Sequence, residues 1–213
     1  MNGARLHYEL QGDGFPVVLL HGGLLDLRLW DGQVGPLARH FTTLRYDQRG
    51  FGWTVAPEGQ PYAPHEDLRA LLDHFSMDRT HVVGQSFGGR VALDFALAFP
   101  ERVSCLVLVA PEWTLDHMRG LAEVHLPHFL EPPAFTRLEQ LLVPTLVVVG
   151  DKASPALRSN AELLARRVPA LTRVTLPGVG HLPNLERPED FNRVLLGFLL
   201  AQASTHVGEA PLG

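Results

Sequence analysis

Thr80-His81-Val82-Val83-Gly84-Gln85-Ser86-Phe87-Gly88-Gly89 is the stretch from which the rest of the chain can be read. Thr80 to Val83 reads as a strand, and the residues that follow Gly89 read as a helix to Phe99, stopped by Pro100. Between them lies G-x-S-x-G, Gly84-Gln85-Ser86-Phe87-Gly88. A serine on so sharp a strand-to-helix turn is pushed into strained backbone geometry, and glycines two residues before and after it leave the room. Its hydroxyl is expected to stand exposed above the sheet, with a helix N-terminus beneath it that favours developing negative charge. The pentapeptide alone fits an ordinary glycine-rich turn equally well. The flanking strand and helix favour Ser86 as a nucleophile.

Outward from this turn, apolar runs alternate with helix-period segments, which predicts an α/β fold with a mainly parallel central sheet flanked by helices. Leu6, Tyr8 and Leu10 alternate with His7 and Glu9 as a half-exposed strand. Strands are also expected at Pro16–Leu20, Thr42–Tyr46, Val103–Ala110, Thr145–Val149 and Leu171–Leu176. Helices are expected around residues 30–40, along a face carrying Leu68, Leu71, Leu72 and Phe75, after Ser154-Pro155, and from Pro188. Residues 111–143 fit no strand–helix alternation. They hold Pro127, Pro132, Pro133, Trp113, Phe129 and Phe135, and read as a short helical excursion over one edge of the sheet. The tail 201–213 is expected to fray.

The 213 residues carry 46% hydrophobic and 19% charged side chains, enough for one domain spanning residues 1–213. A chain of this mass buries about 70% of its unfolded surface, so the core needs no disulfide or metal staple. Cys105 is the single cysteine, and its apolar surroundings mark it as core. A net charge of −5 with scattered basic residues argues against nucleic-acid binding. The longest apolar runs, about eight residues, fall short of the roughly 20 needed to span a bilayer. Met1 to Arg5 lead into no hydrophobic signal segment, so a cytoplasmic location is expected. His117, His125 and His128 have no zinc-site spacing, and no metal is expected.

Four motifs in order resemble the α/β-hydrolase superfamily, and the resemblance covers nearly the whole chain. Beside the serine turn, His21-Gly22-Gly23 is similar to that family's oxyanion loop, and Asp47-Gln48-Arg49-Gly50-Phe51-Gly52 to its D-x-R-G-x-G turn. Gly178-Val179-Gly180-His181-Leu182-Pro183 is similar to its catalytic-histidine loop. The stretch from Leu176 through His181 to Pro188 and Phe191 is particularly similar to oxoadipate enol-lactonases and related small esterases. The resemblance implies Ser86 as nucleophile, His181 as base, and an oxyanion hole from the backbone N–H of Phe87 with that of Gly23 or Leu24. His21 is expected to order its loop. Trp113 and its aromatic neighbours are expected to line an acyl pocket, although packing onto the sheet would require the same residues. Trp53 either edges the site or covers core.

One position departs from the family pattern. The triad acid usually follows the strand placed here at Thr145–Val149, in a G-x-x-D loop, and this chain reads Gly150-Asp151-Lys152-Ala153. Asp151 is two residues early and faces the same side as position 153 on an extended path, unless it simply hydrogen-bonds its own loop. Glu112, just past the preceding strand, is the alternative acid, or else a solvated residue of the excursion. Asp47 is expected to pair with Arg49 and brace its turn. Asp151 is preferred over Glu112. Should neither serve, loss of the acid in comparable triads lowers the rate about 10⁴-fold.

The resemblance therefore implies a cofactor-independent serine hydrolase of small carboxylic esters or lactones. The alternative is a catalytically impaired or ligand-binding protein of the same fold. Against the family, the chain is short, and the shortfall falls on the cap at residues 111–143. That predicts a shallow pocket, or one completed by a partner subunit in a homodimer.

Overall fold

The computed structural model describes residues 1–57, 59–112 and 127–203. Seven strands form one sheet: β1 (Tyr8–Gln11), β2 (Phe15–Leu20), β3 (Phe41–Tyr46), β4 (Thr80–Gln85), β5 (Val103–Val109), β6 (Thr145–Gly150) and β7 (Leu171–Leu176). Their spatial order is β1-β3-β2-β4-β5-β6-β7. β1 is antiparallel to β3, and every other pairing is parallel. Among the described residues the longer helices are α1 (Asp31–Ala38), α2 (Pro64–His74), α3 (Phe87–Ala98), α4 (Pro155–Arg167) and α5 (Pro188–Ala203), with a single helical turn at Pro183–Glu186. Among the described residues no helix is long and apolar enough to cross a membrane.

The inner strands are near-continuous apolar runs because both faces of a parallel sheet are covered. Alternation along each strand divides its side chains between two cores. Val18, Leu20, Val82, Leu106, Leu108, Val147 and Val149 face the side carrying α2, α3 and α4. Val17, Leu19, Val83, Cys105, Val107, Val109, Leu146 and Val148 face the side carrying α1 and α5, where Trp30, Leu37, Phe191 and Leu195 are buried. Cys105 is core, as expected, and its Sγ lies 3.1 Å from His81 Nδ1. Ser154 caps α4 by accepting a hydrogen bond from Leu157 N–H at 3.3 Å, and Pro155 occupies its first turn.

Parallel register leaves the C-terminal ends of the strands level. Leu20 is opposite both Tyr46 and Gly84, Gln85 is opposite Val109, and Gly150 is opposite Leu176. The loops after β2, β3, β4, β5, β6 and β7 therefore emerge along one edge. That is where open α/β sheets place their ligands.

Several expectations need correction. The first strand is Tyr8–Gln11, and all four of its residues are exposed, because it is an edge strand paired on one side only; Leu6 is buried but precedes it. β5 ends at Val109, and Ala110 leaves the sheet with φ of +43°. Within the described part of the excursion, residues 127–143 hold two 3-10 turns, Ala134–Thr136 and Leu138–Gln140. The expected frayed tail falls mostly at residues 204–213, and Trp113, His117 and His125 fall at residues 113–126, all outside the described residues. His128 donates its backbone N–H to Tyr62 O at 2.7 Å, and among the described residues no group of three metal-ligating side chains gathers.

Asp47 does not pair with Arg49. Its buried carboxylate accepts from Leu27 N–H and Trp53 N–H, both at 2.8 Å, and so ties the segment after β2 to the turn after β3. The turn's second glycine makes this possible. Gly52 has φ of +54°, and a Cβ there would lie 2.1 Å from Asp47 Oδ2. Arg49 turns instead to Asp67 on α2, with Nε–Oδ2 at 2.5 Å and a second bond to Oδ1 at 2.8 Å. Both side chains are about 5% exposed or less, so removing one partner leaves the other as an unpaired buried charge. Asp67→Ala is expected to cost about 3–5 kcal/mol. Urea denaturation will show this as a lower midpoint at unchanged slope.

Candidate active site

The expected nucleophile stands at the carboxyl end of β4, the central strand of the sheet. Ser86 has φ of +51° and ψ of −114°, a conformation that an L-residue adopts only when its surroundings impose it. The surroundings are close backbone contacts. A Cβ on Gly84 would lie 2.2 Å from Gly88 O, and one on Gly88 would lie 2.4 Å from Leu20 O. Ser86 N–H donates to Val109 O at 2.9 Å, while Ser86 O accepts from Arg90 N–H at 3.2 Å and from Glu112 N–H at 3.3 Å. Ser86 is 4% exposed, less open than the expected exposed hydroxyl. The neighbouring loops close in: a Cβ built on Gly22 would lie 3.4 Å from Ser86 Cβ.

Strained backbone gathers around this residue. Leu24, Ser86 and Ala110, at the ends of three neighbouring strands, all have positive φ. Leu24 is 60% exposed, and Gly23 is half-buried beside it. Phe87, next after Ser86, is buried and begins α3. Its ring contacts Phe51 and Phe129, each at 6.0 Å between centroids. Phe129 also carries the Arg90 guanidinium 4.2 Å above its ring. The returning part of the excursion is thus packed onto the start of α3. Asp94, one turn beyond Arg90, is buried, accepts from Leu130 N–H at 3.1 Å, and has its carboxyl pushed up to about 6 by that burial.

His21 orders the loop after β2, as the sequence suggested. Its Nδ1 is 2.7 Å from Gly22 O, and its Nε2 accepts from Gln48 N–H at 3.0 Å. A backbone N–H can only donate, so Nε2 is unprotonated and the proton sits on Nδ1. Burial favours the same neutral ring by holding the pKa below the usual histidine value. Gln48 closes the arrangement by donating Nε2–H to His21 O at 2.7 Å.

The loops after β6 and β7 are zipped together. Asp151 N–H donates to Leu176 O at 3.1 Å, and Lys152 N–H donates to Val179 O at 2.8 Å. A Cβ on Gly150 would lie 2.0 Å from Val179 O, so the close approach demands glycine. The Asp151 carboxylate accepts from Gly178 N–H at 2.7 Å. Its hydrogen bond thus goes to the histidine loop and not to its own. Ala153 is 5% exposed and belongs to the core beside Leu157. Glu112 is brought next to Ser86 through its backbone. Trp53 is 79% exposed and covers no core.

Two residues of the site escaped the sequence reading. Gln85, at a variable position of the serine motif, is buried and donates Nε2–H to His181 O at 3.2 Å. It links the serine turn to the exposed histidine loop. Glu186 accepts from Gly180 N–H at 2.7 Å and from Leu182 N–H at 2.9 Å, on either side of His181. An acidic residue closing a short turn after the histidine was its only signal; for Gln85 there was none.

Ser86, the His21 loop and the His181 loop thus meet at one sheet edge, in the order set by the strands. The sequence profile of the alpha/beta hydrolase fold family matches residues 16–127, more than half of the chain. The chain belongs to the α/β-hydrolase fold family. Within it, the chain is 40% identical over 104 residues to a 2-hydroxy-6-oxo-2,4-heptadienoate hydrolase of Pseudomonas putida, covering 46% of this chain and 38% of that protein. A hydrolase from Pseudomonas aeruginosa superposes with a TM-score of 0.78 at 27% identity, over 92% of this chain and 94% of that one. The enol-lactonase from Burkholderia xenovorans shares the fold, with a TM-score of 0.78 at 24% identity, over 93% and 98% of the two chains.

The His21 ring supplies a pH test. Because its folded pKa lies below the unfolded value near 6.5, the unfolded chain binds the proton first as pH falls. Its contribution is complete above that pH and declines below it, by up to about 1.4 kcal/mol per pH unit. His21→Asn is expected to lose less stability than the wild type between pH of about 7.5 and 5.5. Parallel denaturant titrations of the two proteins measure that difference.

Proposed function

We propose that the protein is a cofactor-independent serine hydrolase of small carboxylic esters or lactones. The observation that carries this reading is the backbone of Ser86, held at φ of +51° between two glycines that no side chain could replace. Strain of this kind is kept where it positions a reacting group. In the proposed reaction, Ser86 Oγ attacks the substrate carbonyl as the His181 imidazole takes its proton. Negative charge builds on the carbonyl oxygen, facing the Phe87 N–H and that of Gly23 or Leu24. Preorganised donors of this type are worth several kcal/mol in the transition state. The tetrahedral adduct collapses, the C–O bond to the alcohol breaks, and the imidazolium returns its proton to that leaving oxygen. Water then attacks the acyl-enzyme with the same histidine as base, which releases the acid and frees Ser86. A lactone follows the same course, with the alcohol still tethered to the acyl group.

Two considerations support this chemistry. The similar proteins include a 2-hydroxy-6-oxo-2,4-heptadienoate hydrolase and an enol-lactonase. Serine at the turn argues against the reactions in this superfamily that need a carboxylate nucleophile. Trp113 remains a proposed pocket residue, on the sequence argument alone.

A second reading has its own observation. Ala153 fills the usual acid position with a buried methyl group, and the Asp151 carboxylate is already engaged by Gly178 N–H. A protein without an acid would bind its ligand yet turn it over slowly. Two experiments separate the readings. A fluorophosphonate probe is expected to label the folded protein rapidly, and Ser86→Ala to abolish that labelling; a folded wild type that stays unlabelled sinks the enzyme reading. Replacing Ala153 by aspartate then tests the acid. If no carboxylate serves at present, esterase turnover will rise by up to about 10⁴-fold. An unchanged rate would assign the role to a carboxylate already there, with Asp151→Asn and Glu112→Gln identifying which.

A further inference from the structure

Glu186 takes no part in the reaction proposed above, yet both of its carboxylate oxygens are committed to the histidine loop. Oε2 accepts from Gly180 N–H at 2.7 Å and Oε1 from Leu182 N–H at 2.9 Å. These are the N–H groups of the residues on either side of His181. We propose that Glu186 is the positioning residue of His181, fixing the backbone from which the imidazole reaches the serine. The proposal rests on the reading of His181 as the base.

The geometry favours this role over a simple surface contact. Residues 178–182 include two glycines, and Gly178 has φ of +72°. Left to itself, such a loop samples many conformations. Gly178, Gly180 and Leu182 are alternate residues, and each gives its N–H to a carboxylate: Gly178 to Asp151, the other two to Glu186. Bonds from N–H to an ionised acceptor are among the stronger ones. The carbonyl of His181 is held in turn by Gln85 Nε2–H at 3.2 Å. A Cβ on Gly180 would lie 3.2 Å from Glu186 Oε1, so a side chain there would press on the carboxylate.

Glu186 is itself anchored. Its N–H donates to Leu182 O at 2.9 Å, closing the turn Pro183–Glu186. Asn184 in that turn is fully buried and donates Nδ2–H to Leu29 O at 2.9 Å. The clamp is therefore referred to the core beneath α1. With alanine at position 153, no carboxyl from that position orders the imidazole, and the backbone clamp carries more of the orientation.

Charge adds a second effect. A carboxylate bonded to both neighbours of His181 favours the imidazolium that forms as Ser86 attacks. Among the described residues, the other charged groups around the loop include Asp151 and Lys152 from the β6 loop, Arg187 with a guanidinium nitrogen 3.9 Å from the Cβ position of Gly178, Asp190, paired with Arg187 at 3.8 Å, and Glu189, which lines a surface pocket with Glu186. Gln85, from the serine turn, is neutral.

The test compares Glu186→Gln and Glu186→Ala with His181→Ala, using p-nitrophenyl acetate turnover and fluorophosphonate labelling of Ser86, with melting temperatures alongside. Glu186→Ala is expected to lower kcat roughly 10- to 100-fold with KM little changed, the scale of a misplaced catalytic group. Glu186→Gln keeps one acceptor oxygen and should recover part of that loss. In both variants the acid limb of the labelling and kcat/KM profiles should move to lower pH, because the negative charge is gone. Wild-type kcat and an unmoved acid limb in Glu186→Ala would overturn the proposal. So would a rate loss that follows the melting temperature while the acid limb stays in place. His181→Ala separates the two levels: full activity there defeats the reading of the base, whereas an inactive His181→Ala beside a normal Glu186→Ala defeats the positioning role alone.

Discussion

The whole site depends on one close contact, the crossing of the serine turn over the ends of β4 and β2. Gly84 and Gly88 approach neighbouring backbone oxygens so nearly that neither position has room for a methyl group. This contact holds Ser86 in a left-handed conformation and starts α3 directly beneath it. A side chain at either glycine would force the turn apart, and the strain at Ser86 would relax with it. The cost of holding that strain, of order 1–3 kcal/mol, is met by a sheet buried on both faces.

Around this fixed point the other loops are tied by polar bonds. Asp47 joins the segment after β2 to the turn after β3. His21, locked as one neutral tautomer, braces the Gly22–Gly23 backbone against Gln48. Asp151 and Glu186 take alternate N–H groups of the histidine loop. Four side chains rich in lone pairs thus convert flexible glycine-containing loops into a defined edge. A fixed edge matters to the proposed reaction, because preorganised groups need no rearrangement as charge develops.

Much of this was legible in the residues. Apolar runs at β2, β4, β5 and β6 could only be strands covered on both faces, and the glycine spacing around Ser86 stated the need for room. The Ser154-Pro155 cap and the acidic start of α5 marked helix openings that the structure has. Other features were hidden for physical reasons. Asp67 shares the helical stripe of Pro64 and Leu71, a placement that periodicity alone assigns to an apolar side chain, and its partner Arg49 lies 18 residues away. Local pairing of Asp47 with Arg49 looked natural because the two are near in sequence, but the turn points their side chains to different neighbours. Gln85 had no signal, since any residue type satisfies the motif at that position.

By itself the sequence determined the α/β architecture and the place of the serine turn within it, because periodicity and glycine spacing are local properties of the chain. Only the tertiary structure decided which carboxylates serve which loop. Asp151 and Glu186 flank His181 because β6 and β7 end level at the same edge, and a buried asparagine pins the following turn to the segment before α1. Hydrogen bonds of this kind depend on where distant strands end, and a linear sequence does not carry that information.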